Sequence, residues 1–235
     1  MHVLLIHQAF AALDEAGGTR HYELAARLAE KGHFVTIISS PVSYLTGKSQ
    51  NTRVVWKEVI HPQAGITIAK AYTFQALHRS FIYRVLSFLS FMFSSFWIGL
   101  GVKDVDIVWG TTPPIFQGIT AWLLACLKGV PFLFEVRDLW PAFAIAVGVL
   151  KNPILIGLSN GLEKFLYRHA DQLIVNSPGF IHHVLERGAK SIELIPNGAD
   201  PGMFTPLGKG TQIRQQWGLT NEFVVLYAGA HGMSN

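Results

Sequence analysis

The sequence predicts an α/β protein built on a doubly wound, mainly parallel sheet. Short apolar runs such as HVLLI, FVTII and FLFEV alternate with longer stretches whose apolar residues recur at helical spacing. These runs are apolar almost throughout, which is typical of strands that helices cover on both faces of a sheet. Ligands of such sheets bind beyond the carboxyl ends of the strands, so the turns that follow the strands are the candidate sites.

The alternation of strands and helices can be followed along the chain. We expect a strand at His2–Ile6, a helix from about Thr19 to Glu30 that ends at Gly32, and a second strand within GHFVTIISS. The pattern continues with VDIVWGTTPP, FQGITAWLLACLKG, VPFLFEVRDLWP, NGLEKFLYRHA, DQLIVNSP, GFIHHVLERGA and SIELIPNG. In that order these segments predict strand and turn, helix, strand, helix, strand, helix and strand.

A change of composition near the end of the chain predicts a second domain. Residues 201–210 are rich in proline and glycine, which is typical of a linker. Beyond them, TQIRQQWGL predicts a short helix and EFVVLYAGAHG predicts a strand followed by a glycine loop. We therefore expect a first domain over residues 1–205. Residues 206–235 are expected to hold the linker and the first elements of a second, truncated domain.

Composition and charge exclude several classes of protein. Of the 235 residues, 50% are apolar and 14% are charged, so the chain is globular rather than disordered. The net charge is +4, and residues 41–105 alone carry seven Lys or Arg against two acidic residues. The single cysteine, Cys126, excludes a disulfide framework and is expected to be packed. The lack of a disulfide framework fits a cytosolic compartment. The amino terminus lacks the charged region of a signal peptide and is expected to be a first core strand.

The stretch from Val85 to Val102 is long enough for a transmembrane helix because its eighteen residues include no charge. Serine recurs within it at helical spacing, at Ser87, Ser90, Ser94 and Ser95. This weakly polar stripe, with Arg79 and Arg84 just upstream, favours a buried or interfacial helix. A true span and a helix that packs on another chain are the alternatives. An interfacial helix beside a basic segment predicts peripheral contact with anionic lipid.

Two turns contain the polar residues expected at a ligand site. Gly17 and Gly18 precede the first helix, whose free N–H groups at Thr19 and Arg20 favour an anion, although a merely structural turn is the alternative. The segment EVRDLWP places Glu135, Arg137 and Asp138 at a strand end, where Glu135 and Arg137 share one side of the strand. There a carboxylate and a guanidinium bind sugar hydroxyls or phosphate, or form an ion pair that holds the turn.

The remaining motifs are weak or absent. The segment PNGAD, with Asn197 and Gly198, predicts a turn. The ten histidines form no metal-ligand motif, and no nucleotide fingerprint or hydrolase nucleophile motif is present. A metal site, a dinucleotide-dependent oxidoreductase and a hydrolase are therefore disfavoured. Nucleic-acid binding is also disfavoured because the basic excess accompanies an apolar run rather than a basic helix face.

Five motifs taken together resemble the GT-B glycosyltransferases of family 4, in particular bacterial enzymes of surface-polysaccharide assembly. They are GGTRHYELAARLAEKGHFVTIISS, EVRDLWP, NSPGF, IPNGAD and FVVLYAGAHG. The resemblance implies two Rossmann-like domains facing a cleft, the first of which is this N-terminal half. It also implies a nucleotide-sugar donor, a retaining transfer and no cofactor or bound metal.

The resemblance also implies roles for individual residues. Gly17 and Gly18 match the N-terminal glycine loop beside the donor phosphates and the acceptor, and Asp138 matches the catalytic strand-end segment. Arg137 stands where many relatives have histidine, so a histidine acting on the acceptor is not assumed. Gly229 and Gly232 match the glycine turn that approaches the donor diphosphate.

The resemblance finally suggests a context for the reaction. Acceptors in surface-polysaccharide assembly are often polyprenyl-diphosphate sugars, so the domain is expected on the inner face of the plasma membrane. The paired glutamates of the family's donor site have no counterpart in this sequence, and we expect little or no transfer by this chain alone. A non-catalytic glycan-lipid binding module, or one half of a split transferase, is the alternative.

Overall fold

The computed structural model describes residues 1–13, 15, 17–43, 46–49, 55–75, 81–202 and 210–227. The chain divides into two compact units, Met1–Pro196 and Asn197–Asn235. The first unit contains the sheet and the helices that cover it. The boundary expected after residue 205 falls among residues outside the described ranges and stays a prediction.

The first unit alternates strands and helices in the expected manner. Its strands are β1 (His2–Ile6), β2 (Phe34–Ser39), β3 (Lys57–Gln63), β4 (Ile66–Ala71), β5 (Ile107–Thr111), β6 (Phe132–Val136), β7 (Gln172–Val175) and β8 (Ile192–Leu194). Its helices are α1 (Arg20–Glu30), α2 (Phe81–Leu100), α3 (Gln117–Lys128), α4 (Ala142–Ala146), α5 (Pro153–His169) and α6 (Ile181–Glu186), with a 3₁₀ turn at Pro178–Phe180. The hairpin of β3 and β4 was not expected from the sequence.

The eight strands form one sheet in the order β3-β4-β2-β1-β5-β6-β7-β8. All neighbouring strands are parallel except β3, which pairs with β4 in the antiparallel sense. The strand order reverses at β1, since β2 lies on one side of it and β5 on the other. This arrangement confirms the predicted doubly wound, mainly parallel sheet and puts its switch point at the end of β1.

Helices cover the two faces of the sheet unequally. On one face, α1 packs through Ala25 on a cluster that includes Leu5, Ile37 and Ile68. On the other face, residues of α2, α3, α5 and α6 share a larger cluster with the sheet. Buried residues therefore point to both faces along the central strands, which accounts for their nearly continuous apolar sequences.

The helix ends follow local signals in the sequence. Gly32 and Gly129 adopt φ of +83° and +66° just after α1 and α3, a conformation that L side chains rarely adopt. The start of α5 differs from the expectation because the helix begins two turns before NGLEKFLYRHA. Asn152 caps it, since its Oδ1 accepts hydrogen bonds from the backbone N–H groups of Ile154 and Leu155, and Pro153 opens the first turn.

Helix α2 forms where the sequence predicts a helix, but its surface is inverted: small polar side chains are buried and large apolar ones are exposed. Its buried side chains include Ser87, Ser94 and Ser95, whereas Phe93 and Trp97 are 60% and 54% exposed. Serine suits the buried face because it lets the helix lie close to its neighbours, and the Oγ of Ser94 donates to the carbonyl of Tyr72 at 2.6 Å. The window Tyr83–Leu100 is long and apolar enough to cross a membrane, and a third of it is buried.

Two expectations from the sequence are wrong. Cys126 is exposed rather than packed, because α3 buries the side that carries Ala121, Leu124 and Ala125. In the second unit, TQIRQQ forms the expected helix α7 (Thr211–Gln216), but Glu222–Tyr227 are not in a strand. A strand requires a paired neighbour, and no other strand occurs in the described residues of that unit.

Candidate functional site

Polar side chains gather at the carboxyl edge of the sheet, around its switch point. His7 follows β1, Thr111 and Thr112 end or follow β5, and Glu135 and Arg137 end or follow β6. The amino end of α1 packs against the same edge and adds Arg20 and His21. This is the edge at which doubly wound sheets bind their ligands.

Glu135 is the centre of the cluster. Its side chain is fully buried, and its carboxylate accepts hydrogen bonds from Arg20 Nε at 2.9 Å and His21 Nε2 at 2.5 Å. The hydroxyl of Thr111 donates to the same carboxylate at 3.1 Å. Glu135 therefore holds α1 to the strand ends through ion pairs. For this residue the structural role, rather than ligand binding, accounts for its contacts.

The charges around Glu135 determine its ionisation. Burial alone would raise the pKa of this carboxyl, but the hydrogen bond and charge of His21 and the charge of Arg20 lower the pKa to about 2. Burial is also the largest effect on His21 and lowers its pKa, although the neighbouring carboxylate acts in the opposite direction. Glu135 is therefore an anion at neutral pH, neutralised by a permanently charged guanidinium.

Arg20 connects two distant parts of the first unit. Besides its bond to Glu135, its Nη1 donates to the carbonyl of Pro196 and its Nη2 to the carbonyl of Ile195, each at 2.7 Å. These carbonyls follow β8, the last strand of the sheet. One side chain thus links the amino end of α1, the end of β6 and the segment after β8.

Arg137 is fixed by the turn after β5. Its backbone N–H donates to the Oγ1 of Thr112 at 3.0 Å, and its Nε donates to the carbonyl of Thr112 at 2.7 Å. Its Nη2 lies 3.0 Å from Nε2 of His7. A guanidinium only donates, so His7 accepts at Nε2 and carries its proton on Nδ1. Arg137 therefore presents a positioned cation at the edge.

His7 is buried and neutral. Desolvation lowers its pKa well below the ordinary value, and the charges of His21 and Arg137 act in the same direction. Its ring centroid lies 4.3 Å from that of His21, and the Nδ1 atoms of both rings have no hydrogen-bond partner among the described residues. His7 thus offers a buried Nδ1–H beside the guanidinium, and neutral His21, whose Nε2 donates to Glu135, offers Nδ1 as a buried acceptor.

Asp138 follows Arg137 and is half-buried. Burial raises the pKa of its carboxyl, and the charge of Arg137 opposes this increase. A carboxylate with a raised pKa accepts a proton more readily than an ordinary aspartate. Arg137 and Asp138 therefore put a cation next to a potential base at the carboxyl edge. Glu135, which the sequence put on the same side as Arg137, forms its ion pairs with Arg20 and His21 of α1.

The two glycines before α1 differ in their surroundings. A Cβ at Gly17 would lie 2.7 Å from the Cβ of Ala11, so this glycine is required by packing, whereas a Cβ at Gly18 would meet no described atom within 4 Å. Thr19 does not cap the helix with its side chain, because its hydroxyl donates to Glu23 at 2.6 Å. Gly18 thus faces open space, and the first turn has no side-chain cap, although Glu23 already supplies one negative charge there.

The other predicted residues lie in the second unit or outside the described residues. Asn197 and Gly198 belong to the second unit, where both are exposed. Gly229 and Gly232 lie outside the described residues. In the part of the chain that the structure describes, no group of three or more His, Cys, Asp or Glu is arranged to hold a metal ion.

Sequence reasoning missed His7 and His21 and gave Arg20 only as a backbone donor. The available signal was position: His7 is the first residue after an apolar strand, and the other two open the helix after the glycine pair. Their shared partner, Glu135, is more than 100 residues away in the chain. No local pattern reports such a pairing.

A separate groove lies at the amino ends of the parallel strands, opposite the candidate site. It measures about 860 Å³ and is lined by residues that include His2, Thr36, His61 and Asp106. Its polar groups bind one another, since Nε2 of His2 lies 2.8 Å from Oγ1 of Thr36 and the amide of His2 donates to Asp106 at 2.6 Å. We place the candidate site at the carboxyl edge, where charged and unpartnered polar atoms coincide.

The fold and the position of the site define a class of protein. A mainly parallel, doubly wound sheet with a charged cluster at its switch point is a Rossmann-like half of the GT-B glycosyltransferase type. The chain belongs to the family described as "Glycosyl transferase 4-like domain", which it matches over residues 16–198. No curated protein matches the sequence.

Solved structures of glycosyltransferases share the fold. Sucrose-phosphate synthase from Thermosynechococcus elongatus is 18% identical, with a TM-score of 0.66 over 93% of this chain and 53% of that chain. HepE from Anabaena, in complex with UDP-glucose, is 13% identical, with a TM-score of 0.54 over 95% of this chain and 51% of that chain. UGT89C1 from Arabidopsis thaliana, complexed with UDP-L-rhamnose, is 16% identical, with a TM-score of 0.56 over 92% and 55%. The chain spans about half the length of these proteins.

Proposed function

We propose that this chain is the acceptor-side half of a glycosyltransferase. The enzyme would move a sugar from a nucleotide-sugar donor to a glycan or polyprenyl-diphosphate acceptor in bacterial surface-polysaccharide synthesis. The observation that carries the proposal is the carboxyl-edge cluster, in which Arg137 contacts His7, His7 packs on His21 in the first turn of α1, and Asp138 follows Arg137 in the chain. Two comparisons support the proposal: the chain matches the family, and the similar proteins HepE and UGT89C1 were solved in complex with UDP-sugars.

In this proposal each group has a distinct task. The guanidinium of Arg137 and the N–H groups after Gly18 attract the phosphates that donor and acceptor both carry. Asp138 takes the proton of the acceptor hydroxyl as its oxygen bonds to the anomeric carbon. The bond from that carbon to the diphosphate breaks, and the nucleoside diphosphate leaves. The transfer is proposed to retain the anomeric configuration, so in this proposal the acceptor oxygen attacks from the same face that the diphosphate leaves. It is also proposed to need no metal or cofactor.

The proposal includes the inner face of the plasma membrane as the place of reaction. A polyprenyl acceptor keeps its lipid in the bilayer, so the protein must bring its site to the membrane surface. The exposed apolar side chains of the helix within Val85–Val102 suit peripheral contact, and residues 41–105 carry the basic excess that favours anionic lipid.

We also infer that the 235-residue chain alone transfers little or no sugar. It spans about half the length of the GT-B structures it resembles. Closure of two domains around the substrates supplies much of the orientation on which such transfers depend.

Acceptor binding tests the proposal with the chain as it is. A polyprenyl-diphosphate-linked sugar should bind the purified protein, and Arg137→Gln should weaken binding about tenfold by removing a charge-assisted contact. Arg27→Gln, on the exposed side of α1, is the control and should bind as the wild type does. Absence of binding, or equal affinity in Arg137→Gln and Arg27→Gln, would contradict the acceptor-side assignment.

A further inference from the structure

Helix α2 carries an apolar strip on its exposed side. Leu86, Leu89, Phe93 and Trp97 recur every three or four residues, and each is between 45% and 60% exposed. This spacing puts them along one side of the helix, which we call the α2 face. Trp56 lies against it, with its ring 6.1 Å from that of Phe93. The surface therefore continues beyond the helix itself.

The first half of α2 reaches the carboxyl edge of the sheet. Ser87 and Phe88 line a small cavity together with Gln8, which follows β1, and Pro114, which follows β5. The hydroxyl of Ser87 and the side-chain carbonyl of Gln8 are buried there without a partner among the described residues. Phe88 thus lies on the side of α2 that is turned toward the strand ends, away from the α2 face.

A series of aromatic rings continues from Phe88 toward the site. The centroid of Phe88 lies 5.7 Å from that of Phe116, and Phe116 lies 6.0 Å from Trp140. All three side chains are partly exposed. We call them the aromatic row. Trp140 is two residues from Asp138 in the chain, so the row runs from the sheet side of α2 to the turn that carries Arg137 and Asp138.

The walls at both ends of the row are apolar. Residues 85–102 include no charged side chain, and neither do residues 139–150 after Asp138. The nearest charges named at the site are the guanidinium of Arg137 and the carboxylate of Asp138. A ligand that fits has an anionic head for the guanidinium and a long apolar tail for the rings.

We propose that the aromatic row binds the first isoprene units of a polyisoprenoid diphosphate. The diphosphate lies at Arg137, the tail crosses Trp140, Phe116 and Phe88, and the remaining isoprene units reach the α2 face and the bilayer. Branched isoprene units pack well on aromatic rings, and each buried CH₂ contributes about 0.8 kcal/mol. This inference rests on the proposed function because it assigns the tail of the same acceptor.

Farnesyl diphosphate is a water-soluble probe of the row, with inorganic diphosphate as the tail-free comparison. Calorimetry should show that Phe88→Ser and Trp140→Ser each weaken farnesyl diphosphate binding at least tenfold and leave inorganic diphosphate unaffected. Phe34→Ser, at an exposed phenylalanine of β2, is the matched control and should bind as the wild type does. Equal affinity of all three variants for farnesyl diphosphate would overturn the proposal.

A second measurement uses the unaltered chain and so does not depend on the folding of variants. Farnesyl diphosphate with a photoreactive group on its terminal isoprene should label Phe88 or its neighbours in α2. Labels confined to residues away from the row would overturn the inference. If inorganic diphosphate binds and the tail adds nothing, only this inference fails. If the polyprenyl-linked sugar does not bind at all, the proposed function fails.

Discussion

At the scale of single residues, the site depends on one buried carboxylate. Glu135 brings Arg20 and His21 from α1 to the end of β6, and the hydrogen bond of His21 together with the charge of Arg20 keeps it ionised. The sequence put Glu135 on the same side of the strand as Arg137 but did not predict its partners in α1. The partners come from α1, more than 100 residues earlier, and only the parallel order of the strands brings them together.

The buried imidazole of His7 predicts loss of stability in mild acid. The pKa of His7 is lower in the folded state than in the unfolded state, so in mild acid the unfolded chain binds a proton more readily than the folded one. The free energy of unfolding therefore falls as pH drops below about 6.5. We expect the free energy of unfolding to fall by up to about 1.4 kcal/mol per pH unit for this one group. His7→Gln should reduce the slope between pH 6.5 and 5, measured by urea denaturation.

The control for His7 is a solvent-exposed histidine of the same protein. His182 is 85% exposed, and His182→Gln should leave the slope unchanged. Glu135 does not disturb this range, because its lowered pKa makes it lose its contribution only between about 4.5 and about 2. His21, with its pKa also lowered by burial, accounts for a remaining slope. Parallel curves for the wild type and His7→Gln would contradict the prediction.

At the scale of elements, the sequence predicted the strands and helices whose apolar residues follow a clear pattern. The central strands β1 and β6 are buried on both faces and were evident as continuous apolar runs. The hairpin of β3 and β4 was missed because β3 is an edge strand with mostly exposed residues and a proline, which weakens its alternation. The first turns of α5 were missed because exposed apolar residues there hide the helical period.

The inverted surface of α2 predicts unequal effects of two neighbouring substitutions. Ser94→Leu puts a larger side chain against the carbonyls of Tyr72 and Phe91 and should lower the free energy of unfolding by about 3 kcal/mol. Phe93→Ser removes a large apolar side chain that is 60% exposed and should cost less than about 1 kcal/mol. Urea denaturation measures both, and the reverse order would show that the burial pattern of α2 is wrong.

At the scale of the whole first unit, the parallel sheet determines where chemistry is possible. Its switch point at β1 and the loops after β5 and β6 were predictable as a site, since the carboxyl ends of parallel strands meet at one edge. The identity of the linking residue was not predictable. Arg20 reaches the segment after β8, at the far end of both the sheet and the unit's sequence.

This link predicts that Arg20 stabilises the last strand as well as the site. Arg20→Gln leaves the buried carboxylate of Glu135 without its guanidinium and should lower the free energy of unfolding by about 3 kcal/mol. The carbonyls of Ile195 and Pro196 also lose their donors, so the amide of Ile195, which donates to Val175, should exchange its hydrogen faster. Hydrogen exchange followed by mass spectrometry measures this local effect.

Arg27→Gln separates the specific effect of Arg20 from a general loss of helix charge. Arg27 lies on the same helix, is 63% exposed and pairs with Glu30, so its loss should cost about 0.5 kcal/mol or less and leave exchange at β8 unchanged. Faster exchange in both variants would mean that α1 acts as a whole. Unchanged exchange in Arg20→Gln would mean that β8 is held by its pairing with β7 alone. Faster exchange in Arg20→Gln only would make this arginine the element that couples the end of the sheet to the candidate site.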